Sequence, residues 1–141
     1  MDPSTINETF DEPGRPGRVL LVDNDPDVSE LVQAFLSQTG HEVCALGSAE
    51  SALELIQAEG LDSIGSIVLD LRMPGMGGVD FLSALDGRYS DLPPVVVISG
   101  FISEEDREVL EAREEVRALF HKPFDLLALG QALQNLLSET P

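Results

Sequence analysis

Five short apolar runs divide this chain, at residues 18–22 (RVLLV), 42–46 (EVCAL), 66–70 (SIVLD), 95–98 (VVVI) and 118–120 (ALF). Runs this short, bounded by turn-forming residues, read as strands, and three of them lack polar alternation, which indicates burial on both faces. Between the runs the apolar spacing changes to three and four. Val28, Leu31, Val32, Phe35 and Leu36 predict a first helix, with Asp25 as its N-cap, Pro26 at the first helical position and Gly40 as its stop. Ala49, Ala52, Leu53 and Ile56 predict a second, capped by Ser48 and ended by Gly60. A turn at 74–78 opens a third with Val79, Leu82 and Leu85 inward. Ser103 followed by Glu104, Glu105 and Asp106 marks a fourth start, with acids on the positive end of the helix dipole. Its expected inner stripe is thin: Val109, Ala112 and Val116. Asp125 caps a fifth helix that buries Leu129, Leu133, Leu136 and Leu137.

Strand and helix therefore alternate five times. This order predicts an α/β fold, a doubly wound five-stranded parallel sheet with helices on both faces and right-handed crossovers. Residues 1–17 are polar and acidic, end in PGRPG, and read as a flexible N-terminal extension.

Composition narrows the partners. In 141 residues there are 26 acids against 8 bases, a formal net charge of −18. Such a surface repels nucleic-acid and membrane phosphates, and suits a basic partner or divalent cations. The single Cys44 excludes an internal disulfide framework and a Cys-rich zinc site, and is expected as a small core residue. No segment reaches the ~20 apolar residues of a membrane span, and the first residues lack a signal-peptide pattern, so the expected location is cytoplasmic.

In a parallel sheet the C-terminal strand ends share one edge, where ligand crevices form. Here those ends carry Asp23-Asn24-Asp25, Asp70, Ser99-Gly100 and Lys122-Pro123. Each residue has an ordinary alternative. Asp70 alone could simply turn the chain, Asp25 suits a helix cap better than a ligand, and Lys122 alone could be a solvated surface group. The coincidence at four ends is what signals a site. Carboxylates with an amide oxygen suit Mg²⁺, and a hydroxyl and an ammonium beside them suit a phosphoryl oxyanion. His41 and His121 lack ligand spacing and read as structural. The glycines at 75–78 are not followed by Lys-Ser/Thr, so they form no P-loop, and Ser99 lacks a nucleophile elbow.

The motifs VLLVDND, IVLDLRMPGMGG, VVVISG and HKPF, in this order and spacing, resemble the receiver domains of two-component response regulators. The resemblance spans essentially everything after the extension and implies a receiver domain over residues 18–139, with flavodoxin-like strand order 2-1-3-4-5. It implies that Asp70 is the phosphoacceptor, phosphorylated by a histidine kinase or phosphotransfer protein in a Mg²⁺-dependent reaction. Asp23, Asn24, Asp70 and the backbone carbonyl of Arg72 would hold the metal. Ser99 would be the switch hydroxyl, and Lys122 would pair with the phosphoryl group. No output domain is read after Ser138: the chain would be either a stand-alone receiver acting through protein contacts or a receiver excised from a larger kinase or regulator, with a homodimer among the possibilities the family offers. No catalysis is implied beyond the domain's own phosphorylation and dephosphorylation.

Three positions depart from the family pattern. Asn24 replaces the second acid, which should weaken Mg²⁺ binding. Leu119 stands where many members carry a switch aromatic, leaving that coupling absent or passed to Phe120. Glu114-Glu115 precedes the last strand where a glycine turn is common, predicting a differently shaped loop. Asn24 also supports an alternative: a pseudo-receiver, the same fold as a phosphorylation-independent interaction module. A phosphoaspartate hydrolase would need an acid two residues after Asp70, where this chain has Arg72.

Overall fold

The computed structural model describes residues 18–138, with side chains described to residue 135. The expected extension at 1–17, and the expected burial of Leu136 and Leu137, lie outside those limits. Ten elements alternate: β1 (Val19–Val22), α1 (Pro26–Gln38), β2 (Val43–Leu46), α2 (Ala49–Glu59), β3 (Ser66–Asp70), α3 (Gly78–Asp86), β4 (Val95–Ser99), α4 (Glu104–Glu111), β5 (Val116–His121) and α5 (Leu126–Ser138). The sheet is parallel throughout, in the order β2-β1-β3-β4-β5.

Two cores follow from the alternation of side chains along each strand. Leu20, Val22, Ile67, Leu69, Val95 and Val97 face Ile56, Phe81, Leu82, Leu85 and Leu110 of α2, α3 and α4. Leu21, Val68, Val96 and Ile98 face Val32, Leu36, Leu129 and Leu133 of α1 and α5. Because β1, β3 and β4 lie between two such layers, every residue in them is buried, which explains their unbroken apolar runs.

The caps lie where the sequence places them. The Asp25 carboxylate accepts the Asp27 N–H at 3.0 Å, Ser48 Oγ accepts the Ser51 N–H at 3.1 Å, and Ser103 Oγ accepts the Asp106 N–H at 3.0 Å. Asp125 accepts the Leu127 N–H at 2.9 Å. At Gly78 a Cβ would lie 2.8 Å from the Asp70 carbonyl oxygen, so only glycine lets α3 begin directly against the end of β3.

The fourth helix differs from expectation. It ends at Glu111, Val116 belongs to β5, Val109 and Ala112 are exposed, and the buried contact is Leu110. Leu31 of α1 is 56% exposed rather than inward, because α1 already seals its face with Val32 and Leu36. Phe81, absent from the expected stripe of α3, is fully buried. Cys44 is half-buried against the core rather than within it, as β2 is an edge strand.

Before β5, Arg113 organises the loop. Its guanidinium reaches Glu115 at 2.7 Å, Asp86 at 2.6 Å and the Leu82 carbonyl at 3.0 Å. The β4–β5 register shifts between Val95 and Val96 beside this loop.

Candidate functional site

The chain leaves β1 for β2 on one side and returns to β3 on the other. The C-terminal ends of β1 and β3 therefore open a crevice at the point where the strand order reverses. Asp23 follows the end of β1 and Asp70 ends β3; both are buried, at 2% and 4% exposure. Their loops fix them. Asp23 Oδ1 accepts the Asp25 N–H at 2.9 Å, and Asp70 Oδ1 accepts the Arg72 N–H at 3.3 Å.

One cation serves both acids. Lys122 Nζ lies 3.0 Å from Asp23 Oδ2 and 3.6 Å from Asp70 Oδ2. It reaches them from the end of β5, where the Lys122 N–H donates to the Ser99 carbonyl at 2.8 Å and the Lys122–Pro123 peptide is cis. Burial, and next the neighbouring Asp23 carboxylate, push the Asp70 carboxyl above its ordinary range; Lys122 and the Arg72 N–H oppose this without cancelling it.

Two carboxylates against one ammonium leave the crevice a net negative charge. Mg²⁺ binds through one or two carboxylates and keeps several waters, so this donor set fits the ion. Asp23 Oδ2 strengthens the fit: it is buried and has Lys122 as an ionic neighbour but accepts no hydrogen bond. Asn24 is exposed at the mouth of the crevice, and Asp25 is committed to its cap. Accordingly, no group of three His, Cys, Asp or Glu side chains converges as a metal site among the described residues.

Ser99 is fully buried at the end of β4. Its hydroxyl donates to the Phe101 carbonyl at 2.9 Å and accepts the Phe101 N–H at 3.3 Å. Leu119 packs on the α2–α4 face and Phe120 on the α1–α5 face, where it meets Phe124 edge-on at 6.4 Å. Successive strand residues point to opposite sides, so Phe120 does not take over the position of Leu119. The two histidines have structural partners: His41 Nδ1 lies 2.9 Å from Thr39 Oγ1, and His121 Nε2 lies 3.3 Å from Arg107.

Three further groups brace the crevice without any signal in the local sequence. Glu50, at the start of α2, accepts the Met76 N–H at 3.1 Å and so holds the loop after Asp70. Phe101 and Asp106 both receive the Arg72 side chain.

A model of the response regulator receiver domain matches residues 19–134. The chain belongs to this family. It is 36% identical over 120 residues to the transcriptional regulatory protein CpxR of Escherichia coli, covering 85% of this chain and 49% of that one. It is 34% identical over 112 residues to the response regulator protein FleR of Pseudomonas aeruginosa, covering 79% of this chain and 23% of that one. The receiver domain of a Francisella response regulator superposes with a TM-score of 0.76 at 22% identity, over 89% of this chain and 99% of that one, which establishes the fold. The chain thus spans from about a quarter to half the length of these two curated relatives. It is a receiver domain of the two-component type. No helix among the described residues is long and apolar enough to cross a membrane.

Proposed function

We propose that this receiver domain, over residues 18–139, accepts a phosphoryl group on Asp70 from a histidine kinase or phosphotransfer protein, and that the modification switches its contacts with a partner protein. The observation that carries this reading is the shared ion pair: Asp70 is buried at the switch point of the sheet, beside Asp23, with Lys122 reaching both.

An Asp70 carboxylate oxygen attacks phosphorus, the O–P bond forms, and the donor's P–N bond breaks with its electron pair leaving on the imidazole. Asp23, Asp70, the Asn24 side-chain oxygen and the Arg72 carbonyl would hold Mg²⁺, which supplies charge neutralisation at the transferring group. Lys122 neutralises phosphoryl oxygens once Asp70 is modified, and the Ser99 hydroxyl turns to donate to one of them. The chain turns over no other substrate in this reading. A cytoplasmic setting follows from the donor, and direct nucleic-acid binding is disfavoured by the net charge of −18.

Intact mass after incubation with acetyl phosphate, with and without Mg²⁺, tests this. A Mg²⁺-dependent phosphoryl adduct on the wild type, absent from Asp70→Ala, is the expected result. An adduct that persists in Asp70→Ala sinks the assignment, and no adduct at any Mg²⁺ concentration makes the chain a pseudo-receiver.

A further inference from the structure

Arg72 touches the crevice with its backbone and the opposite wall with its side chain. Its N–H donates to Asp70 Oδ1. Its guanidinium spans to the start of α4, with Nη2 3.0 Å from Asp106 Oδ2, Nε donating to the Phe101 carbonyl at 3.3 Å, and the guanidinium carbon 5.2 Å from the centre of the Phe101 ring. These contacts use the planar fork and the cation face together. Asp106 is itself fixed, because its N–H is capped by Ser103.

The Phe101 carbonyl is the meeting point: it accepts both from Arg72 Nε and from Ser99 Oγ. A serine hydroxyl has one proton to donate. While it is given to Phe101, it is not available to an oxygen on Asp70. We infer that the Arg72 side chain is a positioning residue: by fastening Phe101 to Asp106 it holds the loop between β4 and α4, and with it keeps the Ser99 hydroxyl turned away from Asp70. The consequence for signalling rests on the proposed role of Asp70. A phosphoryl group there must draw Ser99 away from a carbonyl that Arg72 keeps in place, so Arg72 biases the domain toward its unphosphorylated arrangement. Half of the Arg72 side chain is exposed, so the bias is modest.

The test has two arms on the intact chain. In the first, without ligand, amide hydrogen exchange by NMR compares wild type with Arg72→Ala, Arg72→Lys and Asp106→Asn. Exchange at Phe101, whose N–H bonds to Ser99, should quicken roughly two- to fivefold in all three variants, the scale of a partly exposed ion pair. Exchange at Leu20 and Leu21 of β1 should stay unchanged. Combining Arg72→Ala with Asp106→Asn should add little, since each breaks the same bridge. In the second arm, beryllofluoride with Mg²⁺ stands in for the phosphoryl group. Its half-saturating concentration should fall roughly two- to fivefold in Arg72→Ala and Asp106→Asn.

Unchanged exchange at Phe101 overturns the positioning role. Faster exchange with unchanged half-saturation overturns the bias. If neither wild type nor variants take up beryllofluoride, the reading of Asp70 fails instead, and the exchange rates still decide whether Arg72 holds the loop.

Discussion

The two sides of the crevice are built differently. On one side, Asp23 and Asp70 extend from β1 and β3, strands buried in every residue and packed between two helical layers. On the other, Ser99 leads into a loop and an eight-residue α4 that rests on Leu110, followed by β5, none of whose six residues is fully buried. The acid side is fixed by packing. Beyond β4, the other side has only Ile102 and Leu110 anchored in the larger core among the described residues, and polar contacts add to them: Arg72 with Asp106, Arg107 with His121, and the Ser103 cap on the α4 backbone. Groups that must meet a reacting atom gain from rigidity, whereas a segment that changes arrangement must come from the low-stability end of a structure. In the proposed function, the chemistry centres on the packed half, with Lys122 reaching in from the end of β5, and the response falls to the more loosely held half.

The sharpest way to break this contrast is to remove one apolar side chain from each half. Ile67→Ala in β3 should cost about 3–4 kcal/mol, the transfer term plus an uncollapsed cavity, because Ile67 is fully buried in the larger core. Val109→Ala in α4, at a residue 40% exposed, should cost less than about 0.5 kcal/mol. Urea midpoints at constant m-value measure both. Equal costs would mean that α4 is held by packing after all.

The same contrast explains how far the sequence could be read. The strands are legible as short unbroken apolar runs, because two-sided burial removes alternation, and four of the helices because burial of one face imposes a period; the strand ends carry Asp23, Asp70, Ser99 and Lys122, which the topology puts on one edge. The fourth helix departs from its expected stripe because a helix with Leu110 as its buried residue carries no period. Spacing alone selected Val109, Ala112 and Val116, two of which are exposed and one of which is a strand residue. The bridge from Arg72 joins residues 29 and 34 positions apart, and no local pattern encodes such a contact. The loop before β5 was expected to be unusual from Glu114-Glu115, but its organiser, Arg113, has its partner Asp86 27 positions away.

Within the acid side, Asn24→Asp sharpens the account of the metal. If the proposed function holds, a carboxylate at position 24 would add a third charged group to the Asp23 and Asp70 carboxylates, and should tighten Mg²⁺ binding roughly tenfold, about 1.4 kcal/mol. Isothermal titration of the unphosphorylated protein measures it. Unchanged affinity would show that Asn24 does not face the ion. Across the crevice, Ser103→Ala removes the cap of α4 and should cost about 1 kcal/mol. It should also quicken exchange at the start of α4, leaving β1 as it was; a uniform change in both halves would contradict their independence.

The smallest effect concerns the acid the site is built around. Burial and the neighbouring Asp23 raise the Asp70 carboxyl in the folded state, so the native protein holds this proton more tightly than the unfolded chain does. Stability contributed by this group therefore falls as pH rises from the ordinary value of 3.8 through the raised native value, and stays reduced above it. Asp70→Asn keeps the shape, removes the buried charge and leaves Lys122 with Asp23 as its partner. Without Mg²⁺, its Tm at pH 7 should exceed that of the wild type by a few degrees, and the gap should close as acid neutralises Asp70 in the wild type. Following the difference between the two proteins cancels the carboxylates outside the crevice, which are common to both. A lower Tm for Asp70→Asn at pH 7 would mean that Lys122 stabilises the charge more than burial opposes it. The acid side would then be held by its ion pair as much as by the strands that carry it.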